Sequence, residues 1–431
     1  MTSQPTSARR VVITGLGVMS PEGVGRTQFM EHLRAGKSGV TPVHGLAAPV
    51  GAEVAELTEE SAKKIYLKGQ RKQLKVMSRD VLLGVAGAMM AVEDSGLPQP
   101  FTEPERVGVE FGANLMLTPP HELADPSKPC LTAETGAFNF SQWGDAGLRA
   151  MEPLWMLKFL PNMPACHVGI FTDSRGPNNS ITQNEVSGAL AISEATSIIR
   201  RGHAEVMITG ATGNTLHATK SLHQRFWNEL GFDAEHPDRS VKPFDSRRNG
   251  PVIAEAACGM VLEVEEFARS RGANILGTIL GTGSSCVSNV DGEANIQQAL
   301  TNAMRSAMRS AGLAPADIGH ISAHGLGARD GDQAEALAIH EVFGELGSTI
   351  PVVALKGYHG NPGAAALLIE VAASLLFLQE GEIPFSLNCE QPDPECRLNI
   401  VVNQPLKTDR RIFMALSYTL IGQAAAVIIQ C

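Results

Sequence analysis

The chain of 431 residues runs through the same order of strands and helices twice, and this constrains its fold more than any other feature. The first pass begins with the apolar run Arg9–Ser20 and includes a helix pattern over 78–95. It continues with the strand Arg106–Gly112, a second helix from about Val186 to Gly202 and the strand Ala204–Ala211. It closes on the buried run Ala256–Val264 and a helix at Glu265–Gly272. Ile275–Gly281 then opens a second pass with strand ends at Ile318–Gly325 and Val352–Lys356. Alternating strand and helix periods predict stacked α/β layers, here in two halves, 9–265 and 266–431. The halves share element order, not sequence.

Other segments are read by composition. Ala364–Leu378 is apolar but short and carries Glu370, which predicts a buried core helix and no membrane span. Phe413–Ile429, broken at Gly422-Gln423, reads as two buried strands joined by a turn, and Leu117–Phe140 as a loop. The net charge of −10 argues against nucleic acid as a partner. Seven cysteines without a CxxC pair suit a reducing compartment and no metal site. Met1–Arg10 has no apolar run, so no secretory signal is expected, and the reading is a soluble cytoplasmic protein.

Val11–Gly17 superficially matches a dinucleotide fingerprint, but Ser20 replaces the third glycine and Pro21 follows, so Gly15 and Gly17 are expected in a structural turn. Lys63, Lys64, Lys68, Arg71, Lys72 and Lys75 form a basic stretch, either a solvated surface or a docking patch for an acidic partner.

Gly176-Pro177 reads as a turn, Ser180–Gln183 as extended, and Glu185 as the tip residue where the next helix begins. A strand, a tight turn and a helix are one way to display a nucleophile, with the helix dipole favouring an anion. Glutamate is a poor nucleophile for acyl transfer. In the second half, His324 ends a strand, Glu335 sits on the helix that follows, and Lys356, His359 and Asn361 lie on a glycine-rich turn. Two histidine-bearing loops in one half and an elbow in the other predict a shared cleft.

With these residues placed, the chain resembles the β-ketoacyl-acyl-carrier-protein synthases, most of all the elongating type II enzymes and their chain-length-factor relatives. The resemblance runs nearly end to end. It rests on Val11–Ser20, Met77-Ser-Arg79 with Glu93-Asp-Ser-Gly96, Arg175-Gly-Pro177, Pro243-Phe-Asp245 with Arg248 and Gly250, Ala323-His-Gly325 with Gly331-Asp332 and Glu335, and Lys356. It implies the thiolase fold, five αβαβα layers in two pseudo-equivalent halves, and a dimer. It also implies no permanently bound cofactor, the acyl substrate arriving on the phosphopantetheine arm of an acyl carrier protein.

The family's chemistry needs a cysteine at the elbow and two histidines that stabilise the enolate. Here the cysteine position is Glu185, the first histidine is His324, and the second falls on Asn361, with His359 as a conceivable substitute. The gating motif reads Thr419-Leu420-Ile421-Gly422, whose Thr419 and Ile421 resist positive φ, and Pro251 replaces an aromatic. An anionic Glu185 is expected to hydrogen bond to His324.

Three functions follow as expectations. The chain is a non-condensing partner of a cysteine-bearing ketosynthase, in a heterodimer or as its own homodimer. Alternatively, Glu185, His324 and His359 do acid–base work on an acyl- or malonyl-carrier protein. As a third possibility, the chain is a carrier-protein or acyl-chain scaffold. Cys166, in Pro164-Ala-Cys-His167, is read as structural.

Overall fold

Ten consecutive buried residues, Val11–Ser20, form the strand β1 at the middle of the molecule. The computed structural model describes residues 9–68, 70, 72–227 and 229–431; Arg71 of the basic stretch lies outside them. After β1 the first half adds helix α1 (Arg79–Asp94), strand β2 (Val107–Ala113), helix α2 (Met163–Thr172) and strand β3 (Asn178–Ile181). Helix α3 (Ser187–Arg200) and strands β4 (Val206–Asn214) and β5 (Ile253–Val264) complete it. The second half repeats the order: β6 (Gly277–Cys286), α4 (Ile296–Ala311), β7 (His320–Ser322), α5 (Arg329–Phe343), β8 (Pro351–Val353), α6 (Ala366–Gln379), β9 (Ile412–Tyr418) and β10 (Gln423–Gln430).

The pairing repeats as well. The first half runs β1–β5–β4–β2–β3 with two antiparallel and then two parallel pairings. The second runs β6–β10–β9–β7–β8 with the same directions. β1 and β6 meet antiparallel along Val11–Ile13, joining the halves. The central hydrophobic core, which includes Ile192, Ile199, Leu368 and Phe377 of α3 and α6, lies between the two halves of the sheet, and separate cores sit under α1 and α4. This is the five-layered thiolase-like arrangement expected from the resemblance.

Gly15 and Gly17 are not in a turn. Both lie inside β1, where a Cβ would sit 2.1 Å from the carbonyl oxygens of Ala91 and Gly87. Helix α1 therefore lies directly on the strand backbone, and Gly281 and Gly283 of β6 allow the same approach by α4. A glycine pair that looked like punctuation is a packing device. Leu117–Phe140 is likewise not simply a loop, since it contains the helix Pro120–Ser127, with Pro120 in its first turn, where proline's missing N–H costs nothing. The extended piece before the elbow is Asn178–Ile181, two residues earlier than expected. Among the described residues no helix is long and apolar enough to cross a membrane, and α6 is a core helix with Glu370 fully buried.

Glu110 on β2 is fully buried, with neither carboxylate oxygen hydrogen bonded among the described residues. Burial, with Glu194 nearby, pushes its carboxyl up to about 7. An acid raised in the folded state contributes stability that is complete below its unfolded pKa and is lost as pH rises through about 7. Glu110→Gln is therefore expected to gain about 1–3 kcal/mol over wild type on going from pH 5 to pH 8, measured by urea unfolding at both values.

Candidate active site

The two central helices start alike. A short 3-10 turn, Asn184–Val186, precedes α3, and another, Gly363–Ala365, precedes α6. Both N-termini open at the boundary between the halves, so free N–H groups and two dipoles converge there. Asn184 holds φ 49°, a left-handed conformation that asparagine tolerates, and this sharp bend presents Glu185 next to it.

Glu185 is half-buried. Its carboxylate accepts a hydrogen bond from Asn361 Nδ2 at 3.2 Å, and its carbonyl accepts one from Ser417 Oγ at 2.8 Å. Burial raises its carboxyl above the ordinary value, opposed by its own N–H, by Asn361 and by the Lys356 charge. The expected bond to His324 is not made. Asn361 has that role because its backbone is fixed by donation to Val252 O (2.8 Å) and its Oδ1 by Gly363 N (3.2 Å), which aims the amide at the elbow.

His324 is fully buried at the end of β7. Its N–H and that of Gly325 donate to the two carboxylate oxygens of Glu335 at 2.7 and 2.8 Å. Lys356 spends its three ammonium protons on His324 O (2.5 Å), His324 Nδ1 (3.1 Å) and Glu370 Oε1 (2.8 Å). A lysine that donates to Nδ1 leaves the ring proton on Nε2, and Nε2 has no hydrogen-bond partner among the described residues. Burial and the positive charge of Lys356 hold His324 well below the ordinary imidazole value, so it is a neutral donor. Burial pushes Glu335 up to about 8 and Asp332 up to about 6. Asp332 accepts from Phe244 N and Gly327 N and lies 3.7 Å from Arg248 Nε, fixing the loop that carries His324. Sequence reasoning quoted Asp332 and Arg248 only as pattern residues and missed Glu370 as the partner of Lys356. A carboxylate inside an apolar run was the available signal.

His359 does not take the second histidine's place. Its Nε2 lies 3.7 Å from Glu370 Oε1, and Asn361 is the side chain that reaches Glu185.

The segment Thr419–Gly422 forms the hairpin turn between β9 and β10, closed by Gly422 N donating to Thr419 O (3.1 Å) and Thr419 N to Gln423 O (2.9 Å). Only Gly422, φ 83°, takes the left-handed conformation, consistent with the branched side chains of Thr419 and Ile421. Leu420 packs against the outer core of the second half, and Pro251 is buried beside Val252, the acceptor for Asn361.

The basic stretch is less free than its composition suggests. Lys63 and Lys64 pair with Glu59 and Glu60 at 3.0 and 2.5 Å, while Lys68, Lys72 and Lys75 are exposed. No cysteine sulfur is hydrogen bonded to Glu185, His324 or Asn361. Burial pushes the thiols of Cys389, Cys396 and Cys431 up to about 12 and raises Cys258 too, so these four are poor nucleophiles. Cys166, on α2, packs against the core under α1, and its sulfur accepts a hydrogen bond from the Asn162 amide.

The models for the beta-ketoacyl synthase N-terminal and C-terminal domains match residues 8–268 and 276–390. Nodulation protein E of Rhizobium meliloti (strain 1021) is 31% identical over 97% of this chain and 98% of its own length. The 3-oxoacyl-[acyl-carrier-protein] synthase 2 of Coxiella burnetii is 32% identical over 92% of each chain. Among solved structures, the ishigamide ketosynthase/chain length factor superposes with a TM-score of 0.82 at 28% identity, covering 98% of this chain and 99% of that one.

Proposed function

The chain belongs to the β-ketoacyl synthase family, and within it we propose a non-condensing member that works as the chain-length-factor-like partner of a cysteine-bearing ketosynthase. The observation that carries this reading is the elbow itself: Glu185 occupies the tip, and Asn361 closes over it. An acyl group on a carboxylate would be a mixed anhydride, which water hydrolyses readily. The likeness to a ketosynthase/chain length factor supports a partner of the same fold. So does the surface: β3 ends the sheet, Ile170 on the neighbouring α2 is 65% exposed, and Phe140 is 79% exposed. The halves divide near residue 265, and the acyl group is presented on a carrier protein, with exposed Lys68 and Lys72 available for its acidic surface.

Co-expression with a cysteine-bearing ketosynthase from the same organism tests the reading. A stable one-to-one heterodimer is expected; a homodimer that ignores every such partner contradicts it.

One observation favours a second reading. The Lys356–His324–Glu370 set is intact, and His324 Nε2–H is an unpartnered donor. Such a donor could stabilise the enolate left when a malonyl thioester loses carbon dioxide, with no acyl-enzyme needed. Release of carbon dioxide from malonyl-carrier protein, abolished by His324→Ala, is its signature.

A further inference from the structure

β9 ends on Ser417-Tyr418. Ser417 Oγ holds the Glu185 carbonyl at 2.8 Å. Tyr418 lies against His324, with ring centroids 4.6 Å apart and planes at 65°, an edge-to-face contact. The strand that carries both residues is paired on each side. It runs with β7 from His320–Phe413 to Ser322–Ala415, and against β10 as far as Tyr418–Ala424. One strand end therefore reaches the elbow of the first half and the histidine of the second.

Tyr418 is 1% exposed, and its hydroxyl has no hydrogen-bond partner among the described residues. A buried phenol normally finds one. Here the hydroxyl is lodged against Gly331, in the first turn of α5. A Cβ on Gly331 would overlap Tyr418 Oη, while the next ring atoms, Cζ and Cε2, would lie 3.3 and 3.5 Å away. Gly331 sits inside the helix without a left-handed φ, so its bare Cα serves the tyrosine and not the backbone. The same helix supplies Glu335, which holds the N–H groups of His324 and Gly325. The imidazole thus has two restraints, Lys356 Nζ at 3.1 Å from Nδ1 and the Tyr418 ring at its flank. A hydrogen bond at Nδ1 alone lets the ring pivot about that atom; a ring packed on its flank removes the freedom.

We propose that Tyr418 is a positioning residue for His324, wedged against the imidazole by the seat of its hydroxyl on Gly331, and that this wedge sets the direction of the Nε2–H donor. This rests on His324 being the donor of the site. The hydroxyl acts as a spacer: it makes no hydrogen bond, and its oxygen fills the notch that Gly331 leaves in α5.

The experiment is NMR of the full protein labelled at histidine. His324 and His320 are assigned by the signals lost in His324→Gln and His320→Gln. His320, fully buried on β7 and stacked on Phe413 of β9, is the control for a general disturbance of this core. Gly331→Ala is expected to push Tyr418 off its seat and shift the His324 ring by more than its linewidth, with His320 staying within its own. Tyr418→Phe removes the overlapping oxygen, so Gly331→Ala added to it is expected to leave His324 where Tyr418→Phe alone puts it. Tyr418→Leu takes away the ring and is expected to shift His324, again with His320 in place. His324 unmoved in a folded Gly331→Ala variant overturns the proposal. So does a Gly331→Ala shift that is as large in the Tyr418→Phe background, or a His320 shift that matches that of His324. If Gly331→Ala does not fold, as judged by circular dichroism, Tyr418→Leu decides alone: His324 shifted with His320 in place supports the wedge, and His324 unmoved overturns it. The readout needs no turnover, so a failed functional reading, seen as no carbon dioxide released from malonyl-carrier protein, is told apart from a failed wedge.

Discussion

Glu185→Cys is expected to convert an elbow that takes no acyl group into one that takes a single acyl group from an acyl-carrier protein, seen as one added acyl mass in the intact protein. Everything but the thiol is already present. The left-handed Asn184 forces the tip outward, the start of α3 supplies free N–H groups, and a thiol at a helix N-terminus loses its proton more readily than one in water. The same variant should react stoichiometrically with an alkylating agent at residue 185. Condensation is not expected from it alone, because Asn361 offers an amide where the family resemblance implies a histidine. The double variant Glu185→Cys/Asn361→His is expected to form β-ketoacyl product at a rate on the order of 10² above the single variant, the usual contribution of one well-placed acid–base group. If Glu185→Cys takes no acyl group while folded, the elbow is blocked by more than its side chain, and the account of Glu185 as the sole chemical obstacle to acylation fails.

Lys356→Met is expected to cost about 3–5 kcal/mol of folding stability, the loss typical of removing one partner from a buried ion pair. Lys356 and Glu370 are both fully buried, and the lysine also satisfies the carbonyl and Nδ1 of His324. Methionine fills the space and leaves Glu370 without its ion-pair partner, with His359 Nε2 3.7 Å from its Oε1. A further change, Glu370→Leu in the Lys356→Met background, should restore part of the loss, because two apolar side chains need no counter-charge. Guanidinium unfolding of wild type, single and double variants measures both effects. A single variant as stable as wild type would show that the pair does not organise the core.

The alternation of strands and helices, the elbow and the His324 strand end were legible because each is local: period, glycine punctuation and residue type decide them. What sequence reading missed depends on contacts between distant segments. Gly15 and Gly17 look like a turn until α1 is laid across them, and their two counterparts in β6 show the same close approach. The partner of Glu185 is 176 residues away, and nothing around Asn361 announces that its amide, and not the ring of His359, reaches the elbow. Glu22 sits in a short turn, where a charge is expected in solvent; only the fold buries it. Glu370 interrupts the apolar helix α6, and its role, holding Lys356 only 14 residues before it, depends on how the Lys356 turn folds back onto that helix.

The central claim is that the wild-type elbow carries no acyl group and performs no condensation. Incubating the wild-type protein with acyl- and malonyl-carrier proteins, and following both its intact mass and the carrier-bound products, tests this most directly. The account predicts an unchanged protein mass and no β-ketoacyl product. A stable acyl adduct on any residue of this chain, or β-ketoacyl-carrier protein formed without a second ketosynthase, would contradict it.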